Sequence, residues 1–264
     1  MLELYHHGSS VCAAKVRMVL SEKDMAWTGH YIDILKGEQF TPEYLALNPK
    51  GVVPTLIDDG TVIRESTVIC EYIDHIHPET PLRPANAVEA ARMRNWTKFV
   101  DEYVHPMCAT LTFTCSHRVT MSYMSKEEIE EYFAKTPDAG LRERKRGWFE
   151  LGFEGPEFVK SVQIFDKLLA DMDAALADHA WLAGNNLSLA DIGMLPYVNR
   201  LAMFTMLDKW PPERPRVLDW FNRMKARPSF EPAVNEYLPD SLANDFRTNG
   251  AQSWPEVEKV LRSR

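Results

Sequence analysis

The sequence is poor in cysteine. Four occur in 264 residues, at Cys12, Cys70, Cys108 and Cys115, with no C-x-x-C pair and no zinc-ligand spacing. That points to a reducing compartment and away from a disulfide framework. Long apolar runs are also missing. The longest candidate, 192–207, is interrupted by Pro196, Asn199 and Arg200, so no membrane span is expected. Met1-Leu2-Glu3-Leu4-Tyr5 opens directly as a strand, without the basic and apolar regions of an export signal. Positive charge is not in excess: 30 Lys and Arg face 38 Asp and Glu, a net charge of -8. This excludes nucleic acid as a partner and a polybasic membrane anchor. The densest basic cluster, 142–146, is broken by Glu143 and reads as a solvated face. His75 and His77 stand two apart at a helix end, the wrong spacing to share a face, and no metal site is expected. A soluble, cytoplasmic protein follows.

What is present is an ordinary globular composition, 45% apolar, in a chain long enough for two modest domains. Residues 2–5 read as a strand and His6-His7-Gly8-Ser9-Ser10 as a polar loop. Ala13, Val16, Val19 and Leu20 then recur at helical spacing over 11–23, and 27–34 reads as a second strand. Strand, helix, strand at this spacing predicts a right-handed βαβ unit with parallel strands. A polar loop with a short helix at 42–47 follows. A hairpin of 53–57 and 61–63 then turns at Asp58-Asp59-Gly60, and a helix runs over 67–77. The layout βαβαββα is that of a thioredoxin-like α/β domain, placed at 1–78.

Pro78, Pro81 and Pro84 mark 79–88 as a linker. Beyond it no strand pattern appears, and 89–264 reads as an all-α C-terminal helical domain. Helices are expected over 87–115 with a break or kink near Pro106, and over 156–176, 189–204 and 216–226. Residues 116–155 read as irregular and charged with one short helix at 126–134, and the tail after Pro228 as long and proline-punctuated. Ser188 and Asp191 form a cap for the helix that follows, with Leu187 and Ile192 able to staple it. Its role is structural.

The stretch with most chemical content is Val52-Val53-Pro54-Thr55-Leu56, followed by Arg64-Glu65-Ser66-Thr67. Pro54 cannot donate to a ladder, which leaves the backbone of Val53 able to pair with something outside the sheet. The bond before it is also one of the few kinds that tolerate cis. Free backbone groups, a carboxylate and a helix N-terminus together suit a small zwitterionic peptide. Taken alone, the stretch is equally an edge-strand proline followed by a helix cap.

With Asn48-Pro49-Lys50-Gly51 leading into that stretch, Glu65-Ser66 after it and the 188–191 box in the helical region, the chain resembles the cytosolic glutathione transferases. Residues 65–72, 94–103 and the long insertion after Cys115 are similar to bacterial members related to the lignin β-etherases. The resemblance implies glutathione as co-substrate, held as a thiolate. A thiol with pKa near 8.5 is only about 3% ionised at pH 7, and lowering it by about two units takes roughly 2.7 kcal/mol. One hydroxyl bond to a charged acceptor contributes about 1.5–3 kcal/mol, so a hydroxyl at a helix N-terminus is a sufficient source.

Counting back from Lys15-Val16-Arg17, Ser10 matches the catalytic serine of serine-type members. Val11 stands where many have proline, and Ser9 is left as a rival. Tyr5 lies within the first strand, a poor match to the tyrosine-type classes. The resemblance also implies that Val53 pairs with the cysteinyl part beside Pro54, that Glu65 and Ser66 hold the γ-glutamyl end, and that Gln39 and Lys50 meet the glycyl end. Asp101 reaches across a dimer in some classes. A hydrophobic aromatic second substrate would lie between His6, His7 and Gly8 on one side and Tyr103, Met107, Leu111 and Phe113 on the other; His105 and His117 read as satisfied polar residues. A homodimer is implied. Two alternatives stay open: thiol oxidoreductase chemistry through Cys12, which sits two residues beyond the omega-type cysteine position, and a glutathione-binding protein without turnover.

Overall fold

The computed structural model describes residues 1–263. These form two compact units, one of Met1–Lys98, Ala175–Pro196 and Asp219–Pro239, the other of Phe99–Ala174, Tyr197–Leu218 and the residues from Asp240 on.

The first unit begins with β1 (Leu2–His6), α1 (Val11–Glu22), β2 (Thr28–Tyr31), α2 (Pro42–Leu47), β3 (Thr55–Asp58), β4 (Thr61–Ile63) and α3 (Ser66–Ile76). The sheet order is β2-β1-β3-β4. β1 runs parallel to β2, and antiparallel to β3 with Tyr5 opposite Thr55. Alternation buries Leu2, Leu4 and His6 on one face of β1. Val16, Val19 and Leu20 of α1 and Ile69 and Ile73 of α3 are fully buried, and the two helices pack together. Each such side chain contributes about 1.5–3 kcal/mol of burial. Between β3 and β4, Asp59 (φ 44°) and Gly60 (φ 83°) both take left-handed backbone, as the two-residue hairpin turn requires.

Two of the expected strands are shorter than read. β2 stops at Tyr31, and β3 starts at Thr55 because Pro54 has no N–H to give and the pairing with β1 ends at Tyr5. The proline-rich segment after α3 is tied down. The buried Lys23 ammonium lies 2.9 Å from the Asp74 carboxylate and donates to the carbonyls of His77 (2.8 Å) and Thr80 (2.7 Å). Asp74 also accepts from the Leu82 amide at 2.8 Å. Later in this unit, the buried Asp191 carboxylate accepts from the Ser188 amide (3.0 Å), the Leu182 amide (2.9 Å) and Trp220 Nε1 (3.0 Å). The cap is thus a three-way staple.

A helical run extends from α4 (Ala87–Phe99) through α5 (His105–Thr112) to α6 (Arg118–Met121), with wider π turns at Val100–Val104 and Phe113–His117. The first π turn precedes Pro106, absorbing the missing N–H without a break. Then come α7 (Lys126–Ala134), α8 (Ala139–Leu151), α9 (Pro156–Asp178), α10 (Leu189–Met203), α11 (Pro215–Lys225) and α12 (Asp240–Arg262).

Two expectations need correction. The segment 116–155 is mostly helical: α8, capped by Asp138 on the Leu141 amide, packs Trp148 with Phe113, Met121 and Phe133 into a core of its own. The tail ends in a helix of 23 residues that carries Pro255 inside it and buries Leu242, Phe246, Asn249, Gly250, Ser253 and Val257 as one stripe. A Cβ on Gly250 would lie 2.6 Å from the Phe204 Cα, so only glycine permits this approach. Among the described residues no helix is long and apolar enough to cross a membrane.

Candidate active site

The parallel pairing of β1 ends at His6, and the loop His7–Ser10 delivers the chain into α1. Ser10 is the N-cap: its Oγ accepts from the Ala13 amide at 3.2 Å, which satisfies one of the unpaired N–H groups of the first turn. Ser9 behaves differently. Its amide donates to His7 Nδ1 at 3.2 Å and its hydroxyl lies 2.9 Å from the same nitrogen. Both serines are half-buried, whereas His7 is 1% exposed.

Beneath the loop lies a buried guanidinium. Arg17 donates through Nη1 to the His7 carbonyl (3.2 Å), through Nη2 to the Gly8 carbonyl (3.5 Å) and through Nε to the Ala233 carbonyl (2.7 Å). Its Nη1 is 3.3 Å from His6 Nδ1, and the Tyr237 ring covers it at 5.1 Å. Burial pulls its pKa down to about 10, still well above neutrality, so the loop rests on a positive charge. Burial, then the Arg17 charge, push His6 down to about 3. His6 is therefore neutral at pH 7, held edge-on by Trp27, Tyr31 and Tyr237. A Cβ on Gly8 would fall 1.8 Å from the Tyr237 carbonyl oxygen. Only glycine fits there.

The second part of the site is the entry to β3. Asn48 Nδ2 and the Tyr44 hydroxyl both donate to the Val52 carbonyl, at 2.9 and 2.8 Å, and fix the chain before the cis Val53–Pro54 bond. Val53 and Pro54 are buried. Glu65, the N-cap of α3, has φ 66° and ψ 112°, a conformation that costs an L residue on the order of 1–3 kcal/mol and that concentrates at functional sites. Lys50 Nζ lies 2.6 Å from Glu65 Oε1, and Ser66 is buried at the start of α3. Gln39 donates Nε2 to the Ile34 carbonyl at 3.2 Å, while its Oε1 is buried without a partner among the described residues. An orphaned amide acceptor of this kind fits a peptide N–H.

Ser9, Ser10, Gln39, Lys50, Val53, Pro54, Glu65 and Ser66 all belong to the first unit, as do His6, His7 and Gly8. Tyr103, Met107, Leu111 and Phe113 belong to the second. There Tyr103 is 50% exposed, Met107 and Leu111 are buried, and Phe113 sits within the Trp148 cluster. Asp101 is exposed. His105 pairs with the Tyr197 hydroxyl (3.3 Å), and His117 packs on Phe113 and Phe246. Cys12 is half-buried in the first turn of α1; Cys115 is buried, which pushes its thiol up to about 12. Sequence reading passed over Arg17, although a basic residue on the apolar face of α1 was a signal that something polar lay behind it.

The sheet order β2-β1-β3-β4, the crossover through α1 and the cis bond before Pro54 at the start of β3 define a thioredoxin-like module. The family descriptions agree with this: residues 4–81 match the glutathione S-transferase N-terminal domain and 128–223 the C-terminal domain. The chain belongs to the glutathione S-transferase family. It is 32% identical to the protein LigF of Sphingobium sp. strain SYK-6, across 93% of this chain and 96% of that one. It is 28% identical to the tetrachloro-p-hydroquinone reductive dehalogenase of Sphingobium chlorophenolicum, across 88% and 95%. Among solved structures, the crystal structure of the β-etherase LigF superposes with a TM-score of 0.78 at 30% identity, covering 88% of this chain and 98% of that one.

Proposed function

We propose that this transferase holds glutathione as a thiolate and directs it at a hydrophobic aromatic electrophile, with a β-aryl ether as the favoured substrate. The observation that carries the thiolate chemistry is the Ser10 hydroxyl on the N-terminus of α1, above the buried Arg17 charge. A hydroxyl donor, backbone amides and a nearby cation all favour the ionised thiol. In this reading Val53 pairs with the cysteinyl backbone beside Pro54. Glu65 and Ser66 take the γ-glutamyl amine and carboxylate, and Gln39 and Lys50 take the glycyl end. His6, His7, Gly8, Tyr103, Met107, Leu111 and Phe113 are proposed to border the aromatic substrate. Residues 1–78 form the glutathione-binding domain, 79–88 a linker and 89–264 the helical domain of a cytoplasmic homodimer.

The ether assignment is supported by the similarity to LigF, named a β-etherase. The thiolate attacks the carbon that carries the aryloxy group; a C–S bond forms as the C–O bond breaks, and the electron pair leaves with the phenolate. Incubation with both enantiomers of a β-aryl ether ketone and an aryl halide panel tests it. Glutathione-dependent phenol release is expected. Halide turnover without ether cleavage would leave a transferase of another specificity. Glutathione affinity with no turnover at all would leave a binding protein. The half-buried Cys12 near the same helix end favours one further reading, a mixed disulfide with glutathione; mass spectrometry after glutathione disulfide treatment is expected to find Cys12 unmodified.

A further inference from the structure

The two adjacent serines are not chemically equivalent in this fold, and the difference comes from His7. A backbone amide can only donate. The Ser9 amide points at His7 Nδ1 at 3.2 Å, so that nitrogen presents a lone pair and carries no hydrogen. The Ser9 hydroxyl, 2.9 Å from the same nitrogen, can then meet it only as a donor, sharing its single lone pair with the amide. Ser10 has the reverse arrangement. Its oxygen is an acceptor toward the Ala13 amide at 3.2 Å, and its hydroxyl hydrogen is committed to no other described residue. Stabilising a thiolate demands a hydrogen aimed at sulfur. Ser10 has one to give, and accepting from the helix amide strengthens it as a donor.

We propose that His7 is a positioning residue that captures the Ser9 hydroxyl hydrogen and thereby leaves Ser10 as the hydroxyl donor to the glutathione sulfur. His7 is suited to the task. It is 1% exposed, its carbonyl is fixed by Arg17 at 3.2 Å, and its ring packs on Tyr31 at 5.1 Å. The imidazole therefore has a set direction, and Ser9 is set by it. His7's role rests on the thiolate chemistry proposed above, and the test separates the two.

The measurement is the pH titration of the ultraviolet thiolate band of bound glutathione, with binding followed independently by calorimetry. Ser10→Ala is expected to raise the midpoint by about one to two pH units, the worth of one hydrogen bond to a charged acceptor. Adding His7→Phe to Ser10→Ala releases the Ser9 hydrogen and brings the midpoint part of the way back. Adding Ser9→Ala to that pair raises it again. His7→Asn keeps an acceptor oxygen near the position of Nδ1, so Ser10→Ala with His7→Asn stays at the raised value. A protein merely loosened at position 7 would not show this recovery and its reversal. An equal rise in Ser9→Ala alone, or no recovery with His7→Phe, overturns the positioning role while the thiolate chemistry stands. Glutathione bound by wild type with no thiolate band at any pH overturns both.

Discussion

Replacing Glu65 separates what this residue does for the fold from what it does for the ligand. Its backbone stands at φ 66°, ψ 112°, which costs an L residue on the order of 1–3 kcal/mol. Glycine escapes that cost but loses about 0.5–1 kcal/mol more chain entropy than alanine on folding. Both replacements delete the carboxylate and its ion pair with Lys50, which is solvent-exposed on both sides and contributes little to stability. The two variants therefore differ only in the balance of strain against chain entropy, and Glu65→Gly should be more stable than Glu65→Ala by on the order of 1 kcal/mol. Urea unfolding without glutathione, compared at constant m, measures that gap. Glutathione affinity should fall about tenfold or more in both, by the same factor, because each loses the same charged partner. An alanine variant at least as stable as the glycine variant would refute the claim that strain is stored at this cap. Unequal affinities would refute the claim that the carboxylate, rather than the backbone, is what the ligand lost.

Other outcomes follow from neighbouring features. Lys23→Met strands the buried Asp74 carboxylate and two carbonyls and should cost about 3–5 kcal/mol in urea unfolding. Gly8→Ala drives a methyl into the Tyr237 carbonyl and should lower stability by about 2–3 kcal/mol, with the glutathione thiolate band lost. His6 is held neutral, its pKa down at about 3, while the unfolded chain protonates it near pH 6.5. Between those values the unfolded state binds more protons, so stability falls with falling pH by about 1.4 kcal/mol per unit. His6→Asn should flatten the urea-midpoint profile between pH 6 and 4, and an unchanged slope would count against a neutral, buried His6.

The α/β part of the chain and one later cap were legible because their signals are local. The period change between β1 and α1, the Asp59-Gly60 turn and the Ser188–Asp191 cap each specify one short piece of backbone. α8 was hidden by charge: Glu143, Arg144, Lys145 and Arg146 crowd the window in which Leu141 and Trp148 mark the buried stripe. α12 was hidden by Pro255 and by polar residues that are nonetheless buried. Asn249 donates to the Ser116 carbonyl at 3.3 Å and Ser253 to the Cys115 carbonyl at 3.0 Å, partners 133 and 138 residues away that no local pattern announces. The site divides similarly. Val53-Pro54 and Glu65-Ser66 are visible as a motif, but the strained φ of Glu65 and the tautomer that distinguishes Ser9 from Ser10 exist only in three dimensions.

The support under the His7–Ser10 loop has a consequence for how the protein is made. The Tyr237 carbonyl against Gly8, the Ala233 carbonyl on Arg17, and the Arg227 and Ser229 bonds to Glu22 all come from more than two hundred residues downstream. During synthesis the first sheet and helices emerge early and can assemble. Until residue 237 has left the ribosome, however, Arg17 has no carbonyl from that segment to meet and Gly8 no backbone to lean on. The loop after β1 is completed by residues 227–237, so a fragment stopping near residue 88 would have the first sheet and helices without the support of the His7–Ser10 loop.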